Sequence, residues 1–459
     1  MRTSTRLALA GLGLGAICAP HTHAADGDDS LTIRGVTLYG IVDVGLSYQS
    51  HGSPFNDEAA TNVNNFLTKS SNRSNLSLAS NGMSMSMVGL KGKEPIVDGW
   101  WGTFQLETGF NPASGKLIDG PGSVAQNNGV PLAKQSSYGD ATRAGQALNG
   151  RATVGVDSTQ FGSLTVGRNS TPLHDALCKY DPMSCSLEFS YIGFFGSAGG
   201  SGDTEDRFLD DSLKYTYVSG PLRAGALYQF GSVPGFSGQH GYAFQFDGGF
   251  TTHGLAMDAL ISRKTDAVLV GGPLSAAQVA ALSNPSSPTF GLSSGNTVPA
   301  TVSDNLSYTI MANYDGGGPY RLYAGWTHIT YRNPGTPLAV GAETIGDYRI
   351  IPTNNAFPHP KELNIAWTGV KYSVTSKVDV IGAYYFVAQD SFGDTPCSDD
   401  SSAQCRGHYQ AVSLVVDNRF SKHFDAYAGL QWSASYDGMN SGYLQSSSFD
   451  PMIGIRATF

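Results

Sequence analysis

The chain has 459 residues, a formal net charge of -9, 57 glycines, 11% aromatic residues and only 14% charged residues. Aromatics at this level exclude intrinsic disorder, and the acidic balance excludes a general nucleic-acid binder. Outside the first twenty residues no apolar run approaches the ~20 residues of a membrane-spanning helix, which leaves all-β architectures in the lead.

Residues 1–24 read as a signal peptide. Arg2 and Arg6 form its basic start, the run from Leu7 to Ala19 its apolar stretch, and Thr22-His23-Ala24 a small-residue cleavage site. Cys18 follows Ile17, which is bulkier than lipoprotein processing accepts. Losing both arginines makes the exported chain two units more negative. Residues 25–459 are expected to form a single domain.

From residue 36 onward, stretches of about ten residues alternate apolar with polar or small, the period of a strand with one apolar face. Leu38, Gly40, Val42, Val44 and Leu46 oppose Tyr39, Asp43 and Ser47. Phe104 and Leu106 oppose Thr103, Gln105 and Glu107. Ala152, Val154 and Val156 oppose Arg151, Thr153 and Gly155. Leu363, Ile365 and Trp367 oppose Asn364, Ala366 and Thr368. Ile453, Ile455, Ala457 and Phe459 oppose Gly454 and Arg456. A β-sandwich would show the same alternation.

Connection lengths separate the two. Seven short turns (KEPIVDG, STQFG, VSGP, FTTHG, DGGGP, SVTSK, NRFSK) alternate with eight longer polar segments, at about 50–72, 111–147, 169–207, 231–240, 264–304, 333–360, 390–406 and 436–448. Fifteen connections join sixteen strands, which predicts a transmembrane antiparallel β-barrel with short periplasmic turns and long external loops. Sixteen strands enclose a water-filled channel. Tyr48, Trp100, Trp101, Tyr228, Phe230, Tyr314, Tyr331, Tyr384, Tyr385 and Trp432 gather near strand ends, as interfacial girdles require.

Four cysteines follow the leader. Proximity favours pairing Cys178 with Cys185 and Cys397 with Cys405, and an exported chain meets conditions in which disulfides persist. No zinc-knuckle spacing, histidine ligand cluster, calcium loop or G-x-S-x-G elbow occurs, so neither a metal, a cofactor nor an enzymatic activity is expected.

Several segments carry a resemblance: TLYGIVDVGL (Thr37 to Leu46), MVGLKGKE (Met87 to Glu94), FGSLTVGRN (Phe161 to Asn169) and a last strand ending in Phe459. In this order they make the chain resemble the trimeric general porins of Gram-negative outer membranes, over essentially the whole exported length. The resemblance implies passive diffusion of small hydrophilic solutes and ions through a homotrimer. It also implies contacts with outer-membrane lipid, lipopolysaccharide and the assembly machinery, which reads Phe459. The third long loop, about 169–206, is expected to fold into the barrel and narrow it. Asp181 and Glu188 match the family's acidic constriction positions and Arg151 its basic wall position, with Arg207 a looser match at the loop exit. Lys214, Arg223, Arg321 and Glu107 have inward parity, and Arg168 matches a position by the trimer contact. Met87 stands where many relatives carry an inward arginine. With Asp175, Asp203, Glu205 and Asp206 also in the third loop, the filter is expected to tilt weakly towards cations. The competing readings are a substrate-specific channel, an adhesin without a channel and an outer-membrane enzyme barrel.

Overall fold

The computed structural model describes residues 31–52, 73–118, 147–194, 207–231, 242–265, 267–271, 284–286, 297–301, 304–333, 344–345, 348–349, 357–394, 396–397, 402–441 and 443–459. The signal peptide and Asp203, Glu205 and Asp206 lie outside these residues.

The strands of the barrel, in chain order, are β1 (Val36–Gly52), β2 (in two segments, Arg73–Ser80 and Met87–Val97), β3 (Trp100–Gly109), β4 (Ala152–Ser158), β5 (Gly162–Ser170), β6 (Phe208–Ser219), β7 (Leu222–Gln229) and β8 (Ala243–Thr252). They continue with β9 (Leu255–Lys264), β10 (Asp304–Asp315), β11 (Tyr320–Arg332), β12 (Lys361–Ser373), β13 (Val378–Gln389), β14 (Gly407–Arg419), β15 (Phe424–Asp437) and β16 (Ser447–Thr458). Each pairs antiparallel with its neighbours in sequence, and β16 closes on β1 through Ser47↔Met452 and Ile41↔Thr458. Closure leaves no open edge to satisfy in a membrane. The sixteen strands and the alternation of short and long connections are as the sequence predicts.

Outward side chains are apolar and bare, such as Leu76, Val154, Leu414 and Ile453. Their inward neighbours are polar: Asp43, Ser47, Gln245, Ser307 and Ser413 are all buried inside the barrel. One strand reverses the expected reading. On β12 the apolar residues Ile365 and Trp367 point inward and are 1% and 3% exposed, while Thr368 faces out. Tyr331 and Tyr385, expected in the girdles, are also buried inside. The reason is that part of the lumen is filled. A cluster of buried residues joins Ile365, Trp367, Tyr385 and Val387 of the wall to Ala176, Leu177, Tyr180, Met183 and Phe189 of the third long connection. A folded-in loop needs an apolar wall to lie against, and each large side chain such as Leu177, Met183 or Phe189 contributes roughly 1.5–3 kcal/mol on burial.

β2 is broken where Asn81, Gly82 and the residues to Ser86 leave the ladder. Asn81 takes a positive φ and its Oδ1 accepts from Ser86 N at 2.7 Å. Asp43 on β1 holds the gap, with Oδ2 accepting from Met83 N (2.9 Å) and Ser84 N (2.8 Å) and Oδ1 accepting from Tyr427 O–H (2.6 Å). A Cβ on Gly82 would press on the Tyr427 hydroxyl and the Met452 side chain, so a larger residue here would displace the bond that Tyr427 makes to Asp43. The cysteines pair as expected, Cys178 with Cys185 and Cys397 with Cys405.

Candidate channel constriction

The connection after β5 opens with a helix, α1 (Pro172–Tyr180). Thr171 caps it, its Oγ1 accepting from His174 N at 3.1 Å, and Pro172 occupies the first turn. Asp175 near its start and Lys179 near its end both suit the helix dipole. Leu173 N donates to Gln245 Oε1 (3.0 Å) and Asn313 Nδ2 donates to Lys179 O (2.8 Å), which lays α1 across β8 to β10. Trp367 Nε1 then donates to Tyr180 O (3.0 Å). Past the helix the chain follows the wall, with Ser413 Oγ donating to Phe189 O (2.7 Å). It reaches the break in β2, where Glu188 N donates to Gly82 O (2.9 Å) and Ser186 Oγ to the same oxygen (2.7 Å). A short helix, α2 (Tyr191–Phe194), follows, and Tyr191 stacks at 4.6 Å on Tyr409. The loop therefore enters the barrel and is bonded to both sides of it.

Arg151, Lys214, Asp175 and Glu107 come together where the loop leaves the wall. Asp175 accepts from Arg151 Nη2 (3.0 Å) and pairs with Lys214, while Arg151 Nη1 reaches Glu107 Oε1 at 3.3 Å. Glu107 also accepts from Tyr39 O–H (2.7 Å) and Gln105 Nε2 (2.8 Å). Burial works against the Asp175 charge, yet Lys214 and Arg151 prevail and hold its carboxyl well below the usual carboxylate range. These four are a clamp at the root of the loop. Arg207 lies at its exit, bonded through Nη2 to Gly193 O and through its own carbonyl to Thr171 N (2.8 Å).

Asp181 and Glu188, expected to line the waist, do not present carboxylates to open water; they are 0% and 1% exposed. Asp181 ends α1 and folds the next turn over itself. Its carboxylate accepts from Cys185 N (2.7 Å), Met183 N (3.3 Å) and Tyr385 O–H (2.6 Å). Glu188 Oε1 accepts from Ser47 Oγ at 3.2 Å. Burial raises the pKa of both, and for Glu188 the charge of Asp450 adds to the rise. Their physical role is anchoring. An acidic residue in a lumenal loop need not face the lumen when the wall offers it donors.

Several basic groups near the loop do reach the channel. Lys179 is exposed at the end of α1, its Nζ 5.0 Å from the Tyr180 ring centroid. Burial of its stem lowers its pKa, and so do the guanidinium groups of Arg223 and Arg321 beside it. The side chains of Arg223 and Arg321 are 24% and 29% exposed, paired with Asp258 (0%) and Asp315 (38%). Further round, Lys371 and Arg419 share the buried Asp379 at 2.8 and 2.6 Å. In three of these pairs the carboxylate lies beneath and the cation on top. Met87 begins the second segment of β2, and Lys91 lies four residues further along it on the same face, its Nζ 5.2 Å from the Tyr39 ring.

Arg168 is 6% exposed. Its guanidinium donates to Gly150 O (3.0 Å), Asn149 O (3.1 Å) and Asp210 Oδ1 (2.5 Å), and it stacks on Phe208. Phe459 directly follows the last strand, 46% exposed and paired through its backbone with Gly40.

A family model described as Gram-negative porin matches residues 8–438. An outer membrane porin protein of Bordetella pertussis is 25% identical over 218 residues, 46% of this chain and 42% of that protein, so the match spans under half the length of this curated relative. Among solved structures, an anion-selective porin from Comamonas acidovorans superposes with a TM-score of 0.58 at 18% identity, covering 92% of this chain and 99% of that one. The trimer form of OmpT, an outer membrane protein of Vibrio cholerae, gives 0.52 at 16% identity, covering 92% and 99%.

Proposed function

The chain belongs to the Gram-negative porin family and is an outer-membrane barrel channel, and we propose that small hydrophilic solutes and ions cross it by passive diffusion with a preference for anions. The observation that carries the preference is the layering of charge at the loop: Lys179 and Arg223 reach the water while Asp181, Glu188 and Asp258 are buried. A cation at the surface of a water-filled pore acts on passing ions directly, whereas a buried carboxylate is either compensated by its partner or favours its neutral form. The anion-selective porin that shares this fold supports the same sign. This reading replaces the cation tilt expected from the loop's acidic sequence. The test is the reversal potential of the purified protein in planar bilayers across a potassium chloride gradient: anion selectivity is expected, and cation selectivity would refute it.

The functional unit we propose is a homotrimer, supported by the family and by the trimeric neighbour. Arg168 would act there indirectly, holding Gly150 and Asp210 in place beneath the subunit contact. Unheated detergent gels should show a band near three times the monomer mass. The assembly machinery would read the exposed Phe459, so its deletion should leave protease-sensitive chains in the periplasm. Outer-membrane levels equal to those of the intact chain would remove that role.

A further inference from the structure

We propose that Glu188 and Asp450, with the side-chain oxygens of Gln49 and Gln431, bind a divalent cation of the calcium type that pins the constriction loop to the barrel wall. Three of these residues form one row on the lumenal face. Gln431 lies directly opposite Asp450 in the β15–β16 ladder. Continuing the β1–β16 register two residues beyond Ser47↔Met452 sets Gln49 on the other side of Asp450. Glu188 descends on this row from the loop, bonded to Ser47 on β1 and close enough to Asp450 to feel its charge.

All four side chains are sealed from water: Gln49 and Glu188 are 1% exposed, Gln431 and Asp450 0%. Sealing polar groups without partners is costly. Yet, among the described residues, Asp450 Oδ2, Gln431 Oε1 and both amide atoms of Gln49 have no hydrogen-bond partner. No lysine or arginine pairs with Asp450 among the described residues, in contrast to Asp175, Asp258, Asp379 and Asp425 elsewhere on the inner wall. Two carboxylates and two amide groups thus gather where, among the described residues, no lysine or arginine pairs with Asp450.

The donor set decides what fits. It is oxygen only, which suits a hard cation and not zinc or copper. Two carboxylates balance a charge of two. Calcium accepts six to eight oxygens in irregular geometry, whereas magnesium demands a regular octahedron and keeps its waters. A single shared proton would satisfy two oxygens at most and leave the amides unanswered. Bound here, the ion would join β1, β15 and β16 to the loop at Glu188, at the end of the loop opposite the Asp175 clamp.

The test uses the full chain, refolded in detergent from material free of lipopolysaccharide and stripped with a chelator. Isothermal titration with calcium chloride should show a site filled once per chain. Asp450→Asn should weaken it by about tenfold or more, with heat-modifiable migration showing that the barrel is intact. Should that variant fail to fold, Gln49→Leu and Gln431→Leu serve instead, each weakening the site. Magnesium chloride should compete poorly. No uptake per chain, or equal uptake by the folded variants, would overturn the proposal. A carboxyl titrating near neutral pH in a protein that takes up no calcium would also overturn it, and would assign the pair to a shared proton.

Discussion

Replacing Lys179 by glutamine removes the exposed ammonium at the end of α1 without touching the bonds that hold the loop, since those run through the Lys179 carbonyl and its neighbours. For an ion passing about 10 Å away in water, one unit charge is worth about 0.4 kcal/mol before screening. Salt at 0.1 M, with a Debye length of about 10 Å, reduces this to about 0.15 kcal/mol, and 0.01 M salt leaves about 0.3 kcal/mol. The charge acts with opposite signs on anions and cations, so the permeability ratio should move towards cations by about 1.7-fold at the higher salt and about 2.8-fold at the lower. Arg223 and Arg321 remain, so selectivity is reduced and not reversed. The assay is the zero-current potential in planar bilayers across equal activity ratios at both salt levels. Asp181→Asn, made for contrast, should move that potential less, because its carboxyl is fully buried and enclosed by donors from Cys185, Met183 and Tyr385. The reasoning fails if Lys179→Gln leaves the low-salt potential unchanged, or if Asp181→Asn shifts it more.

Asp175→Ala leaves Arg151 with Glu107 but takes the carboxylate partner from the mostly buried Lys214, a loss that typically costs about 3–5 kcal/mol and should appear as a lower temperature of heat modification. Because the folded pKa of Asp175 is depressed, its contribution is complete above the unfolded value of about 3.9 and declines as pH falls below it; acid should therefore loosen the wild type and affect the alanine variant less. Tyr385→Phe removes the 2.6 Å bond to Asp181 and weakens loop anchoring by roughly 1.5–3 kcal/mol, to be read as channel closure at lower applied voltage. Reduction of the Cys178–Cys185 bridge releases a loop constraint of about 2.5 kcal/mol and should expose the third connection to protease while the barrel stays heat-modifiable.

The strand count and the closure of the barrel were legible because they rest on two independent regularities, period-2 alternation and the sequence of connection lengths. Both reflect the same division between lipid outside and water inside. Pairing of the cysteines was legible from proximity alone. Arg151, Lys214 and Glu107 were placed on the correct face by parity, although Arg151 lies one residue before the first residue of β4. What parity could not show was partnership. Glu107, Arg151, Asp175 and Lys214 lie on separate elements, and only the folded loop brings Asp175 between the two cations.

The failures share one cause. Ile365, Trp367, Tyr331 and Tyr385 were read as outward because apolar residues in such a barrel ordinarily meet lipid. That rule assumes a lumen of water throughout, but the third connection brings its own apolar underside, so the wall beneath it must be apolar as well. The same assumption placed Asp181 and Glu188 in water. Two local signals pointed the other way. Thr171-Pro172, followed by Asp175, is a helix start, and it predicts a structured insert where a solvated loop was expected. Asn81-Gly82 is a turn signal inside an otherwise regular stretch, and it marks the break in β2 on which that insert docks. A rigid insert bonded to both sides of the wall buries Asp181 and Glu188 and leaves Lys179, at the end of its helix, in the water. Which loop charges can act on passing ions therefore depends on which side of the loop is packed, and the loop's composition alone does not decide it.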